Sequence, residues 1–166
     1  PILASEAPKI VAPAMNTKMY ENPITQDNLA TLERYGFTIA APASGRLACG
    51  DVGAGKMPEP EVLFQYLDMA CGPAKDMVGK KVLITAGPTR ESIDPVRYIT
   101  NHSSGKMGYS LARACSMRGA DVTLVTGPTS LEAPLFTQVV PVTTAREMFE
   151  AVTSRSQDAD LIIKAA

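Results

Sequence analysis

The chain has a single histidine, His102, no tryptophan, and three cysteines, Cys49, Cys71 and Cys115, none of them in a CxxC pair. One histidine cannot build a metal cluster or a Ser-His-Asp triad from this chain alone, so no metal ligands are assigned. An odd cysteine count without pairing argues for a reducing cytoplasm and against a disulfide scaffold. No apolar run approaches the roughly 18 residues of a membrane span, and no signal-peptide pattern occurs, so neither membrane nor export is expected. The net charge is only −1 and aromatics make up 5% of residues. Without a strong basic surface interleaved with aromatics, a nucleic-acid groove is excluded. A Walker A loop is absent, because Gly105-Lys106 is followed by Met107 and no glycine stands five residues before Gly105. A GxGxxG fingerprint is absent as well; Gly50, Gly53 and Gly55 come in the wrong order.

What is present is an alternation of short β-branched runs and helical patterns, in a chain of 166 residues with 45% hydrophobic and 20% charged composition. This predicts an α/β fold of two partial Rossmann-like, three-layer units with parallel sheets, residues 1–76 and 77–166. Cys71 to Met77, with Gly72-Pro73, is the expected linker. The chain starts on Pro1 and stops within the run Leu161-Ile162-Ile163, so it reads as a segment of a longer protein. Charge divides with the units: residues 1–76 carry 6 basic and 9 acidic side chains, residues 77–166 carry 10 and 8. Between Lys80 and Arg118 there are seven basic residues against two acidic, which suits a small anion such as a nucleoside triphosphate.

That basic stretch is the centre of the argument. Val82-Leu83-Ile84 reads as a strand ending in Ala86-Gly87-Pro88-Thr89. A long polar connection with Arg90, Asp94, Arg97 and Asn101 leads to Ser103-Ser104-Gly105-Lys106. A helix follows, its apolar face expected from Met107, Leu111, Ala114 and Cys115. A helix start dressed in this way receives anions, because its first N–H groups lack partners and carry partial positive charge.

Earlier in the chain, Lys9–Ala12 and Phe37–Ala41 read as parallel strands around a helix that Asn22-Pro23 starts and Gly36 stops, carrying Leu29, Leu32 and Tyr35. The glycine-rich run Gly45–Pro58 reads as a mobile flap. Pro60–Ala70 is a helix with Val62, Leu63, Tyr66 and Leu67 turned inward. After the central stretch come strands at Asp121–Thr126, Gln138–Val142 and Asp160–Lys164, and a helix that Thr144 and Glu147 start as a capping box, with Met148, Phe149 and Val152 on its apolar side. Cys49 on the flap is either a proton donor or nucleophile, or a small buried hydrophobe. Asn16 and Met19 are either substrate contacts, or an Asx turn and a core plug.

Several of these stretches together resemble one enzyme family. Pro13-Ala-Met-Asn16-Thr-Lys-Met19 resembles the PxMNxxM motif of flavin-dependent cysteine decarboxylases, and Ala48-Cys49-Gly50-Asp51 their substrate clamp; Tyr20 stands where many members have tryptophan. Ile84–Glu91, Asp94–Arg97 and Ile99–Gly108 resemble the opening of phosphopantothenate–cysteine ligases. The order matches the bifunctional decarboxylase–ligase family of coenzyme A biosynthesis. The resemblance implies a CTP- and Mg²⁺-dependent ligation of 4′-phosphopantothenate to cysteine through an acyl-cytidylate. It also implies FMN-dependent decarboxylation of the product to 4′-phosphopantetheine. Residues 1–76 would be the C-terminal part of the decarboxylase with the linker, and 77–166 the N-terminal part of the ligase. Gly87, Pro88, Thr89, Ser103, Ser104, Gly105, Lys106 and Gly108 would bind the nucleotide, and Asn101 would place the acyl group. Asn16 would hold the substrate carboxylate, Met19 would line its site, and Cys49 would deliver a proton. A homo-oligomer is implied, dimeric through the ligase and trimer-based through the decarboxylase. The competing expectation is a non-catalytic nucleotide- or flavin-binding module; an NAD-type reductase is disfavoured by the missing fingerprint.

Overall fold

In the computed structural model, residues 2–47, 50–72 and 74–166 are described, and they form two compact units, Pro1–Gly72 and Pro73–Ala166. Among the described residues, no helix is long and apolar enough to cross a membrane.

In the first unit, β1 (Lys9–Val11) is followed by the one-turn α1 (Thr17–Tyr20) and by α2 (Pro23–Arg34). The Asn22 Oδ1 accepts from the Ile24 N–H at 3.0 Å, and Pro23 sits at the first helical position, where its missing N–H costs nothing. Gly36, at φ 85°, closes the helix in the left-handed region. β2 (Phe37–Ile39) then returns parallel to β1, with Lys9 opposite Phe37. The glycine-rich run is more regular than a flap. Ala43–Arg46 (β3) and Val52–Lys56 (β4) pair antiparallel as a hairpin, because glycines at φ 92° (Gly50) and 131° (Gly55) permit the turns that a side chain would resist. α3 (Pro60–Cys71) ends at Gly72 as expected, but only part of its expected inner face is covered: Val62, Leu63 and Tyr66 are half-buried, while Leu67 is exposed. Tyr35, at the end of α2, is also exposed.

The second unit holds nearly all of the buried core, and its sheet explains why. β5 (Lys81–Ala86), β8 (Asp121–Thr126), β9 (Thr137–Pro141) and β10 (Leu161–Ala165) form one parallel sheet in the order β10-β5-β8-β9. Val82, Leu83, Ile84, Val122, Leu124 and Val125 are buried on the two central strands, the near-continuous apolar run of a sheet covered on both faces. The strand order reverses between β5 and β10, and in open parallel sheets ligands lodge beyond the C-terminal strand ends at such a reversal. The polar connection after β5 is not irregular: it contains the antiparallel hairpin β6 (Arg90–Ser92) and β7 (Tyr98–Thr100).

Two helices flank the sheet, and one keeps part of its expected face: Leu111 and Cys115 lie on the core. α4 (Lys106–Met117) buries Gly108, Ala112, Cys115 and Ser116, whereas Met107 and Ala114, expected on the inner face, are exposed. Small residues define the buried stripe: a Cβ on Gly108 would lie 2.4 Å from the Ala86 Cβ and 2.9 Å from the Thr85 carbonyl oxygen, so only glycine lets α4 lie this close to β5. α5 (Ala145–Ser156) begins with the capping box, Thr144 and Glu147 satisfying one another's backbone donors, and leaves Phe149 exposed. The second half of the expected linker is fixed rather than loose. Lys75 Nζ donates to the Met117 carbonyl at 2.6 Å, the Asp76 carboxylate pairs with Arg118, and the Met77 N–H donates to the Arg118 carbonyl at 3.0 Å.

Three carboxylates in this unit hold backbone amides. Backbone N–H groups of Thr143 and Thr144 lower the Glu147 pKa, the Lys81 N–H lowers that of Asp160, and the Val96 N–H, then Arg97, lower that of Asp94. Each folded-state pKa lies below its unfolded value, so the stabilisation is complete above about pH 4–4.5 and is lost as pH falls through the lower folded values. The urea midpoint of this chain is therefore expected to fall as pH is lowered below about 4. A midpoint that rises on acidification over that range would contradict the assignment.

Candidate functional site

The C-terminal ends of β5 and β8 each carry the tripeptide Gly-Pro-Thr, at residues 87–89 and 127–129. The two turns pack directly: a Cβ on Gly127 would lie 1.7 Å from the Pro88 carbonyl oxygen. Gly87 and Gly105 both take left-handed backbone, at φ 75° and 76°. A Cβ on Gly105 would lie 3.4 Å from the Gly87 Cα, and one added at Gly87 or Gly105 would meet the Thr129 methyl at 2.8 or 2.9 Å. Two glycine backbones and one threonine methyl thus pack closely at the start of α4. Gly105 is the N-cap and offers no side-chain acceptor to the first turn; the Ser104 hydroxyl is 3.5 Å from the Lys106 N–H. A helix start with an uncapped first turn, beside a glycine cradle that any Cβ would fill, has the donor geometry for phosphate oxygens.

The remaining expected residues surround this cradle with separate tasks. The Thr100 hydroxyl donates to the Thr89 carbonyl at 2.7 Å, which ties β7 to the turn after β5. Asn101 is exposed, and its Oδ1 accepts from the Ser103 N–H at 2.8 Å. Its carbonyl oxygen therefore shapes the loop, and its amide nitrogen is a donor on an exposed side chain. Arg97 and Asp94 pair with each other at 2.6 Å, so they brace the hairpin turn. The Arg90 guanidinium lies 4.8 Å over the Tyr98 ring. Among the described residues, no group of three His, Cys, Asp or Glu side chains is placed to hold a metal ion.

Sequence reading missed the wall contributed by β8. Thr129 Oγ1 donates to the Tyr109 hydroxyl at 3.1 Å and Thr126 Oγ1 stands 3.3 Å from it, so one tyrosine on the first turn of α4 gathers both threonines. A cavity of about 390 Å³ opens here, lined by Tyr109, Thr126, Thr129, Leu131, Val139 and Val142 among others. The signal was available, since Gly127-Pro128-Thr129 repeats Gly87-Pro88-Thr89 at the end of the neighbouring strand.

The first unit gathers a second constellation. Asn16 caps α1, its Oδ1 accepting from the Lys18 N–H at 2.9 Å, while its Nδ2 donates to Asp51 Oδ2 at 3.0 Å. The Met15 N–H donates to the Gly55 carbonyl at 3.0 Å, and a Cβ on Gly53 would lie 2.6 Å from Thr17 Oγ1, so the β3–β4 hairpin packs closely on this loop. An open cavity of about 520 Å³ lies there, lined by Met15, Asn16, Arg46, Leu47, Lys56 and Met57 among others. Apolar walls with one amide and two cations suit the edge of a planar ring beside a carboxylate. Met19 projects from α1 with 59% of its surface exposed, neither a core plug nor part of that lining. Cys49 lies outside the described residues.

Comparison with known proteins adds a family description to each unit. Residues 77–166 match the family described as DNA/pantothenate metabolism flavoprotein C-terminal domain, and residues 2–72 match the family described as Flavoprotein. The coenzyme A biosynthesis bifunctional protein CoaBC of Vibrio vulnificus (strain YJ016) is 53% identical over 165 residues, 99% of this chain and 41% of that protein. The protein of the same name from Escherichia coli (strain K12) is 48% identical over 164 residues, 99% of this chain and 40% of its own length. The chain thus spans about two fifths of the curated relatives it matches. A crystal structure of the C-terminal domain of a CoaBC protein superposes with a TM-score of 0.55 at 53% identity, covering 56% of this chain and 47% of that one.

Proposed function

For a chain that belongs to the DNA/pantothenate metabolism flavoprotein family, we propose that it carries parts of two successive enzymes of coenzyme A biosynthesis. Residues 77–166 contribute the triphosphate cradle of a CTP-dependent phosphopantothenate–cysteine ligase. Residues 1–76 contribute the carboxylate-binding side of an FMN-dependent phosphopantothenoylcysteine decarboxylase. The observation that carries the ligase reading is the cradle itself: Gly87 and Gly105 in left-handed backbone around an uncapped helix start.

In the ligation, a carboxylate oxygen of 4′-phosphopantothenate attacks the α-phosphorus of CTP, and the bond to pyrophosphate breaks. The cysteine amine then attacks the acyl carbon of the cytidylate. CMP leaves with the electron pair of the C–O bond, and the ammonium proton passes to water. The first-turn N–H groups of α4 neutralise charge on the phosphate oxygens as pyrophosphate departs, with Ser103, Ser104, Lys106 and the Pro88–Thr89 turn as the surrounding wall. The Asn101 amide nitrogen donates to the acyl oxygen, where negative charge grows as the amine attacks. Mg²⁺ would be carried by the triphosphate itself, since the described residues offer it no cluster of ligands.

In the decarboxylation, FMN supplies the two-electron oxidation of the substrate thiol and its later reversal. The chain's own residues hold and protonate. Asn16 binds the carboxylate that leaves as CO₂, Cys49 delivers a proton, and Met19, exposed on α1 outside the cavity lining, meets the substrate only where it extends beyond that cavity. The methionine and leucine walls of the cavity fit the ring edge, and Arg46 and Lys56 fit the anionic substrate. The exposed apolar side chains Ile93, Val96 and Ile99 support assembly of the ligase units into a homo-oligomer. The family's reactions and the unpaired cysteines support a cytoplasmic setting.

Titration of the full-length protein with CTP and with ATP, each with Mg²⁺, tests the ligase reading. CTP is expected to bind at least tenfold tighter and to release pyrophosphate when 4′-phosphopantothenate is added. Equal affinity without pyrophosphate release would count against it.

A further inference from the structure

Asp51 belongs to no step described above, yet its carboxylate reaches across 35 residues to the one amide assigned to the substrate carboxylate. We propose that Asp51 is a positioning residue that sets the orientation of the Asn16 carboxamide, and through it recognition of the substrate's carboxylate. The inference rests on the decarboxylase reading.

A carboxamide is asymmetric. Rotated by half a turn, it exchanges a donor face for an acceptor face at almost no cost in shape. A group that binds a carboxylate must present nitrogen, because oxygen there would repel it. Two neighbours of Asn16 agree on one orientation. The Lys18 N–H is a donor and takes Oδ1 at 2.9 Å; the Asp51 carboxylate is acceptor-only when ionised and takes Nδ2 at 3.0 Å. The helix cap alone would fix the oxygen weakly, since α1 is a single four-residue turn. Asp51 completes the constraint with a charge-assisted bond.

The hairpin does not need this bond to stay in place. It has the Met15 N–H to Gly55 carbonyl bond at 3.0 Å and the close contact of Gly53 with Thr17. Asp51 is itself held by the hairpin backbone, its carbonyl accepting from the Leu47 N–H at 2.8 Å. The carboxylate is therefore presented to the Asn16 amide from a backbone position that the hairpin holds. A role in orienting Asn16 accounts for it; a role in closing the hairpin would be redundant.

The decisive measurement compares two ligands that differ by the carboxylate: 4′-phosphopantothenoylcysteine and its product, 4′-phosphopantetheine. In the full-length FMN-bound protein, Asp51→Ala is expected to raise the KM for the substrate about tenfold or more while product affinity stays within about twofold. Asp51→Asn keeps an acceptor oxygen for Nδ2 and should restore most of the substrate affinity. With Asn16→Ala already in place, Asp51→Ala should cost little more. Equal weakening of substrate and product, or loss of flavin from Asp51→Ala and Asp51→Asn alike, would make Asp51 a structural residue of the hairpin and overturn the proposal. Unchanged substrate KM in Asp51→Ala would overturn it too. Absence of decarboxylation in the unaltered protein would instead sink the decarboxylase reading, a separate result.

Discussion

Gly108→Ala is expected to lower the rate of pyrophosphate release by about a hundredfold, although the change adds one methyl group and favours the helix locally. A glycine-to-alanine change inside a helix ordinarily gains up to about 1 kcal/mol in propensity. Here the new Cβ would stand 2.4 Å from the Ala86 Cβ, 2.9 Å from the Thr85 carbonyl oxygen and 3.1 Å from the Ala86 Cα. Two of these three are backbone atoms of a central strand and cannot swing aside. α4 must retreat, and overpacking of this kind costs about 1–3 kcal/mol, more than the propensity gain. The retreat carries the Gly105 helix start away from Gly87, and a displacement of about 1 Å in a positioning element is worth roughly a hundredfold in rate. Pyrophosphate release under saturating CTP, measured beside the thermal midpoint, separates the two effects. A variant that is more stable and fully active would show that α4 is not seated by this contact.

The second large effect is expected at Asn101. Asn101→Asp should slow amide formation about a hundredfold while pyrophosphate release stays near its original rate, so that acyl-cytidylate accumulates. The bond from the Ser103 N–H to the Asn101 Oδ1, at 2.8 Å, can be made equally well by an aspartate oxygen, so the loop keeps its shape. What disappears is the amide donor. One lost donor to a developing oxyanion costs about 3 kcal/mol. Rapid-quench measurement of pyrophosphate and of the amide product resolves the two steps. Equal slowing of both would assign Asn101 to binding or to loop structure.

Much of the fold could be read from local signals, because those signals agree with the tertiary structure. Asn22-Pro23 starts a helix, Thr144 and Glu147 form a capping box, and Asp121–Thr126 is a strand with those bounds. Only half of the expected face of α4 holds, Leu111 and Cys115 lying on the core while Met107 and Ala114 do not, and the reason is physical. Periodicity scores large apolar residues, so it selected Met107 and Ala114; the sheet instead demanded the smallest residues, and Gly108 carries no hydrophobic signal at all. The same limit hid the two hairpins, whose short strands, glycine-rich in β3–β4 and only three residues each in β6–β7, are paired with each other. At the candidate site, the start of α4 after Ser103-Ser104-Gly105 was legible because helix starts announce themselves. Thr129 and Tyr109 were not, since the contact between them joins turns that are 20 residues apart.

The anchoring of Lys75, Asp76 and Met77 on the last turn of α4 has a mechanical consequence. The helix is 12 residues long, about 18 Å of stiff rod. One end is the Gly105 helix start; the other is grasped, at Met117 and Arg118, by the segment of chain that follows the first unit. Tension on that segment is delivered to the far end of a lever whose near end is the proposed nucleotide site. A pull too weak to unfold anything would bear on the contact between the rod and β5, where Gly108 leaves no clearance. The cradle would then loosen before the sheet does.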